Sequence, residues 1–196
     1  MPKIIHIIMK DKIRKQIFDI RKNTPYSEII SKSKSIEQVL LKTTDFKKSK
    51  NILFYISYDN EVNTHNIIKK TIKTNKEVYV PISDVKNKNL IISKLEDWDD
   101  LSPGAYNILE PRFKINKNFS SDEIDLIIVP GVVFDINGNR VGHGMGYYDK
   151  LLHRLNKSTK IGLAFEFQIV NRINIQKHDI PVDKIITENR LINCTN

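Results

Sequence analysis

The sequence contains little cysteine and no long apolar run, and both shortages narrow the class of protein. Cys194 is the one cysteine among 196 residues, which excludes an internal disulfide and a multi-cysteine metal site. A lone cysteine is typical of a reducing compartment. The segment 4–9 is apolar but short, and His6 interrupts it, so we expect neither a signal peptide nor a membrane span. We therefore expect a soluble, cytoplasmic protein.

Aromatic residues are also scarce, at 8% of the chain, and no recognised nucleic-acid-binding motif is present. The chain nevertheless has 32 basic and 23 acidic residues, a net charge of +9. A basic surface attracts nucleic acid, membranes or anionic small ligands. The lysines, however, are spread along a chain rich in isoleucine and asparagine, as an A/T-biased gene would encode. The net charge is therefore consistent with a basic binding surface and equally with a compositional bias of the gene.

The composition predicts one folded domain. Hydrophobic residues make up 40% and charged residues 28% of the chain, which are ordinary globular values. The length suits a single core, and neither an internal repeat nor a low-complexity linker divides the chain. We predict one domain over residues 1–196.

Residues 10–22 are predicted to form a helix, because isoleucines recur at three- and four-residue spacing. Basic residues share a neighbouring face of that helix, since steps of four and seven nearly close the helical turn. These basic residues are Lys10, Arg14 and Arg21. Thr24 and Pro25 predict the N-cap and the first residue of a new helix, and the apolar residues of segment 29–40 supply that helix or a helix pair.

Short apolar, β-rich runs predict strands along the rest of the chain. They lie at 52–57, 78–80 (ended by Pro81), 90–95, 124–129, 161–165, 185–187 and 191–192. Helices are predicted between several of them, one capped by Asn63-Thr64 and one carrying the leucines of segment 151–155. This alternation predicts an α/β fold with a largely parallel sheet. Ligands of such sheets bind beyond the carboxyl ends of the strands, which points to the segments after Ser57, Val129 and Phe165.

A glycine-rich loop precedes the last of these helices. Gly142, Gly144 and Gly146 alternate there, and glycine permits positive φ and close approach of backbone N–H groups to a ligand. A helix N-terminus adds free N–H groups and a positive dipole end. Asp149 would repel a phosphate bound there unless a cation lay between them, and magnesium held by one or two carboxylates is the usual arrangement. The loop is thus a candidate phosphate cradle.

The loop is not decisive by itself. It lacks the Gly-Lys-Ser/Thr of the common phosphate loop and the Rossmann glycine spacing. A tight strand-to-helix connection, with Asp149 as a helix-start carboxylate, explains the glycines equally well. That interpretation explains less well why Arg140, His143, two tyrosines and Asp149 crowd the same loop.

The segment 130–149 reads PG…FD..G.R.G.G.GYYD at its informative positions, which resembles the signature of the 5-formyltetrahydrofolate cyclo-ligases (methenyltetrahydrofolate synthetases). The resemblance extends over nearly the whole chain, in order. Lys10 and Arg14 are similar to the family's N-terminal K…R pair. The stretch YISYDNEVNT, with Ser57, Glu61 and Thr64, resembles its strand-end segment. HDIPVD at 178–183, followed by Thr187-Glu188, resembles its C-terminal motif.

This resemblance implies a three-layer α/β/α sandwich and an ATP-dependent conversion of 5-formyltetrahydrofolate to 5,10-methenyltetrahydrofolate, ADP and phosphate. The implied catalytic residues are Arg140, His143 and Tyr148. The implied ATP contacts are Lys10, Arg14, Arg140, Val141, Gly142, His143, Gly144, Met145, Gly146, Tyr147 and Tyr148. The implied folate contacts are Ile56, Glu61, His143, Gly144, Met145, Gly146 and Tyr147. Asp149 and Asp179 are implied to hold Mg²⁺. We expect a monomer that binds neither nucleic acid nor membrane.

Other interpretations of these residues remain. Lys10 and Arg14 also suit a solvated helix face, Glu61 an ordinary capping partner, and Asp179 a turn before a proline. The role of His178 is open. Met145 stands where some members of the family carry a lysine, whose task would fall here to Arg140, His143 or the backbone.

Three other functions also fit the sequence. They are a basic nucleic-acid-binding module, another phosphate-handling α/β enzyme that needs neither ATP nor folate, and a non-catalytic nucleotide-binding regulator.

Overall fold

The computed structural model describes residues 2–112, 121–176 and 179–194. The helices are α1 (Pro2–Asn23), α2 (Tyr26–Lys42), α3 (Thr44–Lys48), α4 (His65–Ile72) and α5 (Tyr147–Arg154). The strands are β1 (Asn51–Leu53), β2 (Glu77–Asp84), β3 (Asn89–Lys94), β4 (Leu101–Pro103), β5 (Leu109–Pro111), β6 (Leu126–Val129), β7 (Val133–Asp135), β8 (Arg140–Val141), β9 (Thr159–Leu163), β10 (Ile169–Val170), β11 (Lys184–Ile186) and β12 (Leu191–Asn193).

Seven strands form the central sheet, in the order β12-β11-β9-β6-β1-β2-β3. The five inner strands are mutually parallel, and β3 and β12 close the edges antiparallel. A sheet of this kind needs helices on both faces, because its strands are buried on both sides. The predicted α/β class with a largely parallel sheet is confirmed.

Alternation along the strands distributes the apolar side chains between two cores. Ile52 and Phe54 belong to the core that α2, α3 and α4 cover, whereas Leu53 belongs to the core that α5 covers. Ile128 and Val129 divide in the same way on β6. The result is the predicted helix–sheet–helix sandwich of three layers.

Two smaller sheets and α1 complete the described fold. Strands β10, β7 and β8 pair in that order, and β4 pairs with β5. Ile17 of α1 packs on Val133 and Val141 in a third apolar cluster. This contact holds α1 beside the loop that follows β8. Within the described part of the chain, no helix combines length with the apolarity that crossing a membrane requires.

The predicted strand 52–57 was too long. Strand β1 ends at Leu53, and only the Phe54 N–H still bonds to the sheet, at Tyr79 O (2.9 Å). Beyond it the chain bonds to its own returning turn, since Thr64 Oγ1 donates to Tyr55 O (2.7 Å) and accepts from Ser57 N (3.1 Å). The buried polar groups are therefore satisfied without neighbouring strands.

Two other boundary predictions were wrong. Pro81 lies inside β2, paired with Ile92. Strand β1 accompanies β2 only to Tyr79, so Pro81 lies where β2 is an edge strand and a missing N–H is tolerated. Thr24 is not the N-cap of α2. Its hydroxyl instead donates to Ile20 O (2.8 Å) at the end of α1, and Pro25 takes the N-cap position.

Candidate active site

A cavity of about 740 Å³ opens at the carboxyl-end edge of the central sheet. Its walls come from α1, the turn after β1, the ends of β2 and β3, the β4–β5 hairpin and the glycine loop before α5. Two of the three strand-end segments expected at the site line it, those after Ser57 and Val129. The segment after Phe165 does not, because Gln168 folds back to donate two hydrogen bonds to the carbonyls of Gly131 and Val132 (2.9 Å each).

The structure gathers the candidate site residues from four distant segments around this one cavity. The lining includes Lys10, Arg14, Ile56, Glu61, Arg140, Val141, Gly142, His143, Gly144, Met145, Gly146, Tyr147, Tyr148, Asp149 and Asp179. The interpretation of Lys10 and Arg14 as a merely solvated helix face loses its basis, since both side chains point into the cavity and are only 17% exposed.

The glycine loop adopts the backbone that its sequence predicts. Gly144 and Gly146 have φ values of +99° and +72°, which L side chains rarely adopt. Gly146 is the N-cap of α5, so the first N–H groups of that helix lie directly after the loop. A Cβ added at Gly144 would lie 3.7 Å from the Arg14 guanidinium. Arg14 Nε also donates to Gly142 O (2.8 Å), which fixes the loop to α1.

Two ion pairs place carboxylates beside cations in the cavity wall. Arg140 Nη2 donates to Asp149 Oδ1 (2.7 Å), and Lys10 Nζ donates to Asp179 Oδ2 (2.8 Å). The Arg140 side chain is only 4% exposed, and burial lowers its pKa while Asp149 opposes that shift. A guanidinium remains charged in proteins. The pairs thus present both signs of charge to a ligand.

An aromatic and acidic cluster forms around His143. Its imidazole lies 5.4 Å from the ring centroids of both Phe18 and Tyr58. His143 Nε2 is 3.3 Å from Glu61 Oε1, and Tyr58 Oη is 3.2 Å from His143 Nδ1. Glu61 Oε2 accepts from Tyr58 N (3.3 Å). Glu61 is therefore a buried carboxylate that contacts the glycine loop, although it also caps its own turn.

The two adjacent tyrosines of the loop have different surroundings. Burial raises the pKa of Tyr148 well above its ordinary value, and Glu61 adds to that shift. Its hydroxyl is therefore a proton-bearing donor at neutral pH. Tyr147 Oη lies 3.3 Å from Tyr106 Oη, and both residues line the cavity. Met145 also lines the cavity and is 50% exposed.

The carboxylates of the cavity fit a magnesium ion bound together with phosphates. Residues 2–112, 121–176 and 179–194 contain no cluster of three or more histidine, cysteine or acidic side chains that would form a complete protein cage. Magnesium usually takes one or two carboxylates and completes its shell with water and phosphate oxygens. Asp149 and Asp179 supply two carboxylates in one cavity, and the Arg140 contact leaves Asp149 Oδ2 for such an ion.

Several residues of the motifs that resemble the family's signature stabilise the fold and do not line the cavity. Asp135 is fully buried and accepts hydrogen bonds from the N–H groups of Asn137, Asn139 and Ile173 and from the Asn139 side chain, at 2.8–3.0 Å. Ser57 and Thr64 bond to each other across their turn. Asp183 Oδ2 accepts from Lys160 N (2.7 Å). His178 lies outside the described residues.

Sequence reasoning found Tyr147 and Tyr148 but missed other aromatic residues of the cavity. Phe18, Tyr58 and Tyr106 all line it. Phe18 follows Lys10 and Arg14 at four-residue steps, so its position on the helix face was available as a signal. Its contact with His143 depends on tertiary structure that the pattern does not contain.

The structure is thus an α/β protein with one cavity in which basic side chains meet a glycine loop and a helix start. Comparison with known proteins identifies the family. Residues 7–188 match the model of the 5-formyltetrahydrofolate cyclo-ligase family. The chain belongs to that family.

Two curated relatives with this name align with the chain over nearly their full length. The chain is 31% identical to the 5-formyltetrahydrofolate cyclo-ligase of Haemophilus influenzae, over 90% of this chain and 96% of that protein. It is 33% identical to the Saccharomyces cerevisiae 5-formyltetrahydrofolate cyclo-ligase, over 90% of this chain and 94% of that one.

A solved structure shows the same fold. The Aquifex aeolicus 5,10-methenyltetrahydrofolate synthetase superposes with a TM-score of 0.84 at 32% identity, covering 96% of this chain and 94% of that one. The resemblance predicted from the motifs is confirmed.

Proposed function

We propose that this chain catalyses the ATP-dependent cyclisation of 5-formyltetrahydrofolate to 5,10-methenyltetrahydrofolate, with release of ADP and phosphate. The observation that supports it most directly is the convergence of the family's motif residues on one cavity. Neither a nucleic-acid-binding role nor another phosphate-handling reaction has a comparable observation in its favour.

The proposed reaction activates a poor leaving group. The formyl oxygen attacks the γ-phosphorus of ATP, the bond to ADP breaks, and the formyl carbon then carries a phosphate. The lone pair of the neighbouring folate nitrogen attacks that carbon, the C–O bond breaks, phosphate leaves, and the nitrogen loses its proton. The protein's task in phosphoryl transfer is positioning and charge neutralisation.

The charged end of the cavity suits the ATP phosphates. Arg140, Arg14 and Lys10 supply positive charge, and the loop 142–146 and the start of α5 supply N–H groups. Asp149 and Asp179 would hold Mg²⁺ there. Magnesium bound to phosphate oxygens neutralises the charge that develops during transfer.

The aromatic end suits the folate. Ile56, Glu61 and the loop 143–147 line it, and the faces of Phe18 and Tyr58 provide apolar surface. Tyr148, whose pKa is raised by burial, keeps its proton and is available as a hydrogen-bond donor. Arg140, His143 and Tyr148 remain the proposed catalytic residues because all three line the cavity within the segment from β8 through the glycine loop to the start of α5.

The test is an absorbance assay for the methenyl product with purified protein, ATP, Mg²⁺ and 5-formyltetrahydrofolate. Product should form only when all three are present, and ADP should accumulate in equal amount. Well-folded protein that makes no product under these conditions would refute the proposal. ADP formation without the folate would point instead to a plain ATPase.

A further inference from the structure

Arg21 lies on the same face of α1 as Lys10 and Arg14, but it does not line the cavity. It is 2% exposed, which is rare for an arginine. Its Nη2 donates to Asp59 O, and its own carbonyl accepts from Asn60 Nδ2 (3.0 Å). Arg21 thus holds both central residues of the turn between Tyr58 and Glu61.

Both central residues of that turn have left-handed backbone. Asp59 and Asn60 have φ values of +46° and +56°, a region that aspartate and asparagine adopt more often than other side chains except glycine. The turn carries Tyr58 and Glu61, which both contact the His143 ring. Any relaxation of the turn would move both of them away from the glycine loop.

Arg21 also contacts a second ring that packs on His143. Its Cζ lies 5.9 Å from the centroid of the Phe18 ring, and Phe18 is the second aromatic ring that packs on His143. Arg21 therefore holds Phe18 directly, and it holds Tyr58 and Glu61 through their turn. These three residues belong to the wall of the proposed folate end.

Burial of the Arg21 guanidinium costs free energy. Within the described chain, Arg21 Nε and Nη1 are buried without a hydrogen-bond partner, and an unsatisfied buried polar group is destabilising. A neutral donor would hold Asp59 O at a lower cost. Burial raises the pKa of Tyr58 to about 12, a shift that Glu61 reinforces and Arg21 opposes.

We propose that Arg21 is a positioning residue for the folate end of the site, which holds the turn 58–61 and the Phe18 ring beside His143. This assignment rests on the proposed function for its kinetic readout. It also predicts a structural readout in the protein without substrates, and that readout does not depend on turnover.

The experiment compares Arg21→Met and Arg21→Lys with Lys22→Met, an exposed neighbour on the same helix. Arg21→Met should raise KM for 5-formyltetrahydrofolate about tenfold, which corresponds to a loss of about 1.4 kcal/mol of binding. It should change KM for ATP less than twofold. Arg21→Lys keeps the charge and should recover part of the loss, and Lys22→Met should match the unaltered protein. Equal changes in both KM values, or none, would overturn the assignment.

Two further measurements keep the proposal testable if Arg21→Met fails to fold or the protein makes no methenyl product. Asn60→Gly keeps the positive φ but removes the bond to Arg21 O, and it should raise the folate KM about threefold without changing that for ATP. In ¹⁵N-edited spectra of the substrate-free protein, the His143 ring signals should shift in Arg21→Lys and Asn60→Gly but not in Lys22→Met. Unmoved signals would refute the positioning role, whereas missing product with shifted signals would refute only the proposed function.

Discussion

Asp135 and Asp149 stand at the two ends of one segment of the chain, yet their surroundings differ in almost every respect. Asp135 is fully buried, and both of its oxygens are occupied by donors from the segment itself and from Ile173. The Asp149 side chain is 26% exposed in the cavity and pairs with Arg140 through one oxygen. A carboxylate whose hydrogen-bonding capacity is filled supports structure, whereas one with a free oxygen facing a cavity is available for a ligand. Two aspartates of one motif therefore have different tasks.

The largest effect on turnover is expected at Asp149. Asp149→Asn removes the charge that would bind Mg²⁺ but keeps Oδ1 as an acceptor for Arg140, so turnover should fall about 100-fold or more while the melting temperature changes little. Steady-state assays over a range of Mg²⁺ concentrations, with calorimetry on the same samples, check this. Unchanged turnover would mean that the metal assignment is wrong.

The opposite pattern is expected at Asp135. Asp135→Ala leaves several buried N–H groups without an acceptor, and should reduce the free energy of unfolding by about 3 kcal/mol. Urea denaturation at neutral pH measures the loss. A variant that keeps its stability but loses turnover would place Asp135 in the chemistry and remove the distinction between the two aspartates.

A smaller effect is expected at Glu61. Glu61→Gln keeps the shape and an oxygen for Tyr58 N but removes the charge beside His143. KM for 5-formyltetrahydrofolate should rise about tenfold, a loss of about 1.4 kcal/mol, with little change in ATP binding. Separate saturation curves for the two substrates measure both. A larger effect on ATP than on folate would contradict the division of the cavity into two ends.

The smallest effect is expected at Tyr58. Tyr58→Phe keeps the ring that packs on His143 and removes only the hydroxyl contact, so the folate KM should rise about threefold. Burial and Glu61 raise the pKa of Tyr58 to about 12, above the ordinary value near 10, so the folded state favours the protonated phenol. Its contribution to stability is complete below pH 10 and lost between pH 10 and about 12. Denaturation curves of the parent and Tyr58→Phe should therefore converge across that window.

The fold was largely predictable because burial determines it. Apolar runs such as 126–129 and isoleucines at helical spacing locate the strands and helices, and their alternation gives the parallel sheet. The boundaries at Ser57, Thr24 and Pro81 were not predictable, because they depend on which side chain or edge satisfies a backbone group. Propensity and pattern do not contain that information.

The residues of the site also divide into those that the sequence predicts and those that it does not. Its charged end lies in the loop 140–149 and on α1, where glycine spacing and charge are visible in the sequence. The aromatic end depends on Phe18 and Tyr58 meeting at His143, and on Arg21 reaching the turn at Asp59. Those contacts join segments far apart along the chain, so no local pattern predicts them.

Isotope transfer tests whether the formyl oxygen is phosphorylated before the ring closes. The substrate is 5-formyltetrahydrofolate with ¹⁸O in its formyl group, turned over with unlabelled ATP and Mg²⁺, and the released phosphate is analysed by mass. Phosphorylation of the formyl oxygen predicts one ¹⁸O in each phosphate formed with the methenyl product. Unlabelled phosphate, with the ¹⁸O released as water, would contradict the account.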